Sequence, residues 1–378
     1  MRRRVLGANV LGKSRLYLDI RYWCDFCDVA LGENATARSA ELLDRLRGAV
    51  RAGTVVCPIE LHTFTELLKQ RLPEKLRQTA ELIDELSAGV TIVAPPERAF
   101  LEALRFLQAA PDGPPFPPAP SDEMWTKIAY LVGHGSFSSQ FVPPEELERL
   151  NRLFEERLWS LGLVEALELL GPSPSLTFDW TETTVSKLNA DKVQARADVR
   201  SYRALYLNEI WGVLDAFAPY IGDTAHYLFE RSGGDPNTIT ESQTTEAQRT
   251  LVRLIHAAFE KHDLARQMPT IHIMASLFSG VQWDAGRKYR ANDLADFGHA
   301  AAAIAYCNAF ATERSLGSLI RQAKLDQQYG TEVLTSVDQL LGWLAGHGFP
   351  GPAIRGTRAV PPPREDDQTG ETRPPSDP

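Results

Sequence analysis

Short apolar runs separated by helix-period stretches, at both ends of the chain but not in its middle, limit most strongly what this sequence can fold into. Residues 16–20 are apolar on both faces except for Asp19, and 54–59 (TVVCPI) is rich in β-branched residues and closed by a proline. A third such run covers 90–94. Between them, Ala40, Leu43, Leu46 and Val50 repeat at helical spacing in a helix predicted over 36–51. A second helical stretch opens near His62 with Glu66, Leu67 and Leu68, and a third covers 74–87 and stops at Gly89. Strands without a polar face need cover on both sides, so the alternation predicts an α/β fold with a parallel sheet between helices.

Beyond about Leu107 the pattern changes. A proline-rich linker at 111–120 leads into a stretch, reaching about Asp263, in which helical signals dominate and no strand is evident. The segment 143–170 opens with PPEELERL, a proline-led and acid-rich helix start. A mixed-charge helical region at 181–220 breaks near Pro219, a turn follows at 232–236, and 246–262 is a further helix. Alternation then returns: helices at 271–281 and 293–306, a strand at 309–312, a helix at 315–328, a strand at 332–335 and a helix at 337–345. The expected organisation is a core in two halves, 14–107 and 268–347, split by an all-helical insertion at 108–267. Proline, glycine and charge in 351–378 leave nothing to bury, which predicts a disordered tail.

Composition narrows the function classes. No apolar run reaches the roughly 18 residues of a membrane span. Lys13 interrupts the basic start MRRRVLGANVLGK before any cleavage site, so the expectation is a cytoplasmic protein without a membrane partner. Cys24 and Cys27 form a C-x-x-C without a companion pair, short of the about four ligands zinc takes, and read as buried thiols beside a strand. A net charge of −9 counts against a broad nucleic-acid surface but leaves room for a local basic groove.

The chemistry concentrates in acids at predicted strand ends. Asp19 sits near the end of the first strand and Glu313 just past the strand at 309–312. If those strands are adjacent and parallel, both acids meet at one rim, where open α/β sheets bind ligands. Asp293 and Asp296, three apart, share a helix face that Ala300 and Ala303 continue with small side chains. Glu66 closes the ring, with Glu60 as the alternative. Gathered carboxylates repel, and a hard cation such as Mg²⁺ or Mn²⁺ relieves the repulsion. The bland alternatives are a turn residue at Asp19 and dipole complementation at Asp293 and Asp296.

Four segments carry a resemblance: Leu16-Tyr-Leu-Asp19; Cys57-Pro-Ile-Glu-Leu-His-Thr-Phe-Thr-Glu66-Leu-Leu; Asn292-Asp-Leu-Ala-Asp296-Phe-Gly-His-Ala-Ala-Ala-Ala; and Ala309-Phe-Ala-Thr-Glu313-Arg. Together they resemble the PIN-domain superfamily of metal-dependent ribonucleases, which includes many bacterial toxins of toxin–antitoxin pairs. The resemblance covers about 14–100 and 268–345. It implies a parallel sheet ordered 3-2-1-4-5 and an endoribonuclease. Asp19, Glu66, Asp296 and Glu313 would then be catalytic, with Asp19, Asp293, Asp296 and Glu313 on Mg²⁺ or Mn²⁺. RNA is the implied substrate, and an antitoxin-like protein and a homodimer are the implied partners. Glu313 stands where the family more often has Asp, and Asn308 where a further acid is common, which opens the alternative of a weak or inactive RNA- or protein-binding scaffold.

Other residues complete the reading. Arg287, Lys288 and Arg290 precede the aspartate pair and are candidates for substrate phosphates, against the alternative of solvated loop charges. Lys192, Arg196, Arg200 and Arg203 follow helical spacing as a basic stripe. His299 either packs beside the sheet or touches an acid, and Tyr22 and Trp23 are either core or a stacking platform. A phosphatase of the haloacid-dehalogenase type needs a second Asp two residues after the first, and Arg21 occupies that position.

Overall fold

Each strand of the central sheet presents apolar residues to both sides, and two layers of helices cover them. The computed structural model describes residues 2–34, 36–108, 120–131, 137–138, 141–171, 181–195 and 201–347. Helix α1 (Arg2–Leu11) leads into β1 (Ser14–Leu18), followed by α2 (Ile20–Leu31), α3 (Ala37–Arg51) and β2 (Val55–Val56). Then come α4 (Leu61–Leu67), α5 (Pro73–Ser87), β3 (Val90–Ile92) and α6 (Pro95–Leu107). The middle holds β4 (Trp125–Lys127), α7 (Pro144–Ser160), α8 (Leu163–Leu170), α9 (Thr181–Ala195), α10 (Tyr202–Ala216), α11 (Ala218–Arg231) and α12 (Glu241–Lys261). The last part is α13 (Pro269–Trp283), α14 (Asp293–Tyr306), β5 (Ala309–Ala311), α15 (Arg314–Gln322), α16 (Leu325–Tyr329), β6 (Glu332–Leu334) and α17 (Val337–His347).

Four strands form a parallel sheet in the order β2-β1-β5-β6. Leu16, Tyr17 and Leu18 of β1 face Ala309, Phe310 and Ala311 of β5. Alternate side chains of a strand point to opposite faces. Leu16, Leu18, Ala309 and Ala311 accordingly pack with α2, α3, α5 and α17. Tyr17 and Phe310 join the other layer, built from α13, α14 and α15. β3 lies outside this ladder and meets the chain three residues past β2 through one isolated parallel bridge, Ile59 to Thr91.

β3 pairs instead with β4, antiparallel, Val90 facing Lys127 and Ile92 facing Trp125. The stretch expected to be all helical therefore contains a strand. Three residues, Trp-Thr-Lys after a proline-rich segment, are too few to show a period of two, and only the pairing with β3 makes them a strand. The rest of the middle is helical where described. Helices α10, α11 and α12 bury Ile210, Leu214, Ile221, Ile255 and Phe259 against Ala99 and Ala103 of α6 and Ile271 and Ala275 of α13. The insertion is thus built on the two helices that flank it in sequence.

Several expected elements are shorter or divided. The helix at 181–220 is α9, α10 and α11, with the break at Phe217 just before Pro219. The helix at 315–328 breaks at Lys324, whose φ of 57° is left-handed. Helix α12 starts at Glu241, earlier than expected, because Thr240 and Gln243 form a reciprocal capping box. The thiols also differ from expectation: both lie on α2, with Cys27 buried and Cys24 exposed. Tyr22 and Trp23 of the same helix are core residues. The expected tail at 351–378, most of the linker at 111–120, and Arg196 and Arg200 of the basic stripe lie outside the described residues.

Candidate carboxylate site

The register of β1 against β5 fixes the first two acids. Leu18 faces Ala311, so Asp19 and Thr312 leave the sheet side by side at its carboxyl rim. The Asp19 backbone N–H donates to Ala311 O at 3.0 Å, extending the ladder by one residue. The Thr312 hydroxyl donates to Asp19 Oδ2 at 3.1 Å. Asp19 is also the N-cap of α2, yet its side chain accepts no capping bond, so the carboxylate faces the rim. It is 8% exposed. Glu313 is likewise the N-cap of α15 without a capping bond, and it is exposed to solvent.

Asp296 comes from the first turn of α14, and its electrostatics record where it lies. Burial pushes its carboxyl up to about 7, and the charges of Asp19, Glu313 and Glu66 push the same way, while His299 opposes them. The charges of Asp19, Glu66 and Glu313 are thus all felt at Asp296.

Beneath the rim lies a buried polar group. Tyr17, two residues before Asp19 and on the same face of β1, sends its hydroxyl to within 2.6 Å of His299 Nδ1 and 3.0 Å of Thr63 Oγ1. His299 Nε2 meets Glu66 Oε2 at 3.1 Å, and its Nδ1 lies 3.3 Å from Glu60 Oε1. Burial works against charge on this imidazole. The hydrogen bond to Glu66 and the charges of Glu60, Glu66 and Asp19 outweigh it, raising His299 to about 9. At neutral pH it is an imidazolium that donates from both nitrogens.

Glu60 is the anion that completes the group. It is fully buried, N-caps α4 by accepting from the His62 N–H at 2.8 Å, and meets His62 Nδ1 at the same distance. Burial favours its neutral form, but His62, His299 and Arg98 together hold it down at about 2. Its Oε2 is 3.8 Å from Arg98 Nη1, with both side chains sealed from solvent. Glu60 therefore lies under the site, and the partly exposed Glu66 is the acid that reaches the cluster. Gly298 makes the arrangement possible: a Cβ there would stand 2.2 Å from His62 Cε1.

Two expected site residues are occupied with each other. Arg287 Nη2 meets Asp293 Oδ1 at 3.1 Å, and Asp293 Oδ2 accepts from the Arg290 N–H at 2.9 Å. Asp293 is buried and fastens the loop before α14, held by Arg287, whose side chain is 18% exposed, and by the Arg290 backbone. Lys288 and Arg290 are exposed. Asn308 precedes β5 at the end away from Glu313, where its Oδ1 accepts from the Arg15 N–H at 2.9 Å. It is a ladder residue and leaves no gap in the rim. The described members of the basic stripe serve backbone: Lys192 Nζ donates to Val281 O, Asp284 O and Arg287 O, and Arg203 donates to Phe259 O.

The donor chemistry of the rim suits a hard divalent cation, being all carboxylate oxygen with mutual repulsion to relieve. Among the described residues, however, no three His, Cys, Asp or Glu side chains form a ready ligand set. The acids converge without closing on a point. No helix of the described residues is long and apolar enough to cross a membrane. Comparison with models of protein families, with curated proteins and with solved structures returned no match.

Proposed function

We propose that this chain is a divalent-metal-dependent endoribonuclease on a PIN-like core. The observation that carries the reading is the convergence of Asp19, Glu66, Asp296 and Glu313 at one carboxyl rim, with Asp296 raised to about 7 by burial and by the other three. The order β2-β1-β5-β6 agrees with the 2-1-4-5 part of the arrangement that the resemblance implies, and β3 meets the chain just past β2 by a single isolated bridge.

Asp19, Asp296 and Glu313 would hold Mg²⁺ or Mn²⁺, which when bound supplies a water of lowered pKa and neutralises charge on the phosphoryl oxygens. Thr312 fixes one oxygen of Asp19. Glu66 is fixed at one oxygen by His299 and keeps acceptor capacity at the other for the proton of an attacking water. A water whose proton passes to Glu66 would then bond to phosphorus as the bond to the ribose oxygen breaks, with solvent protonating the departing oxygen. Lys288 and Arg290, exposed just before α14, stand at the approach for substrate phosphates.

A non-cutting RNA- or protein-binding scaffold is the second reading, favoured by the absence of a ready three-ligand set among the described residues. The two separate on incubation of the purified protein with labelled single-stranded and structured RNA in EDTA, Mg²⁺ or Mn²⁺, with Asp19→Asn in parallel. Metal-dependent cutting that vanishes in the variant supports the nuclease. Equal inertness of both proteins with every metal and RNA rejects it and moves the scaffold ahead. An antitoxin-like partner, a homodimer and a cytoplasmic location are further parts of the proposal, open to co-purification, sedimentation and fractionation.

A further inference from the structure

The loop between α13 and α14 is held by the insertion. Asn189 of α9 makes a two-way amide pair with Tyr289, donating to its O at 3.0 Å and accepting from its N–H at 2.9 Å. One turn on, Lys192 places its ammonium among three loop carbonyls, meeting Val281 O at 2.6 Å, Asp284 O at 2.7 Å and Arg287 O as well. Three carbonyls on one ammonium force the backbone from 281 to 287 to wrap tightly round it. Trp283 precedes this turn and Lys288 follows it, and both are exposed. At the far end the Arg287–Asp293 pair ties the same loop to the start of α14, one turn from Asp296.

The exposed groups on this fixed loop have a common chemistry. Trp283 is 55% exposed, and its ring meets that of Tyr202, itself 39% exposed, edge-on at 5.7 Å. Lys288 and Arg290 of the same loop are exposed, as is Asp284. A large aromatic left in water costs apolar burial, and on a chain of net charge −9 two exposed cations within seven residues of it stand out. Aromatic faces take unstacked bases and neighbouring cations take the phosphates between them.

We propose that Trp283, Tyr202, Lys288 and Arg290 form a ledge for single-stranded RNA that delivers the strand to the carboxylate rim, and that α9 exists to hold it. The inference deepens the nuclease reading by giving the insertion a task and the strand a route, and it rests on that reading for its place in catalysis. A duplex does not fit, because its bases are already stacked and turn no face outward.

The test is fluorescence anisotropy of the full chain with a labelled single-stranded RNA in EDTA, so that binding is read without cutting. Trp283→Ala is expected to weaken binding by about five-fold or more, with Trp283→Phe keeping most of it. Lys288→Ala and Arg290→Ala are each expected to lower the slope of log affinity against log salt by roughly 0.7. Unchanged affinity in Trp283→Ala together with unchanged salt slopes overturns the ledge, as does wild-type protein that ignores single-stranded RNA or prefers duplex. Failure of the two readings looks different. Wild type that cuts RNA while Trp283→Ala binds normally keeps the nuclease and removes the ledge, whereas Trp283-dependent binding without cutting does the reverse.

Discussion

His299 Nε2 lies 3.1 Å from Glu66 Oε2, and this contact joins α14 to α4, two helices from opposite ends of the chain. It gives a buried imidazole an anion on one side, while Tyr17 and Glu60 occupy the other. The expected result is a His299 titration midpoint near 9, read from the imidazole proton shifts, and a clear fall of that midpoint in Glu66→Gln. The folded-state value lies above the ordinary 6.5. The stability it contributes is therefore complete below about 6.5 and is lost as pH rises through about 9. An unshifted midpoint in Glu66→Gln removes this account of the pair.

Asp296 titrates the opposite way to a carboxylate in an ion pair. Its folded-state value of about 7 exceeds the ordinary 3.8, so the folded chain holds a proton there that the unfolded chain has released. Its contribution to stability is then greatest at low pH and falls as pH rises from about 4 to about 7. Carbon-detected titration of the carboxyl in EDTA should show the high midpoint. Asp19→Asn should lower it, since one repelling charge is gone. A midpoint that ignores Asp19 separates the two acids.

Gly298→Ala should destabilise the fold by about 1–3 kcal/mol, the usual range for overpacking a filled interior. The added Cβ meets the His62 ring, which Glu60 holds in place. Adding His62→Ala should recover part of the loss, so that the double variant unfolds at a higher denaturant concentration than additivity gives. Strict additivity in chemical denaturation places the clash elsewhere.

Asp293 and Asp296 share a helix face but not a task. Asp293→Asn should lower thermal stability by loosening the Arg287 clasp while leaving metal-dependent cutting within a few-fold of wild type. Asp296→Asn should abolish cutting with little change in melting. Equal loss of activity in both returns Asp293 to the metal site.

The sequence discloses some of this plainly. β1, β5 and the acids at their ends show because a strand buried on both faces is an uninterrupted apolar run, and an acid at its end stands out. Helix α14 shows through its alanines, which are buried from Ala300 to Ala303. The clasp of Arg287 and Asp293 does not show, since a charge looks the same whether it meets solvent, a metal or its neighbour. Nor does the grouping of Glu60, Tyr17 and His299 show. Tyr17 and His299 are 282 residues apart, and only the folded sheet makes them a group. Strand β4 escapes notice because its partner, not its own three residues, makes it a strand. Helix α2 is masked by the aromatic run directly after β1, which reads as either strand or helix.

Asp19 and Thr312 are hydrogen-bonded across 293 residues of chain. A ribosome adding roughly 5–20 residues per second needs on the order of 15–60 s between the two. Throughout that interval β1 has β2 on one edge and nothing on the other, and the acidic rim does not exist. The helical middle, whose contacts are nearer in sequence, can settle first on α6 and then wait for α13. A newly made chain therefore acquires its site only once β5 has been made, and any truncation before β5 releases a protein with an open sheet edge and no cluster.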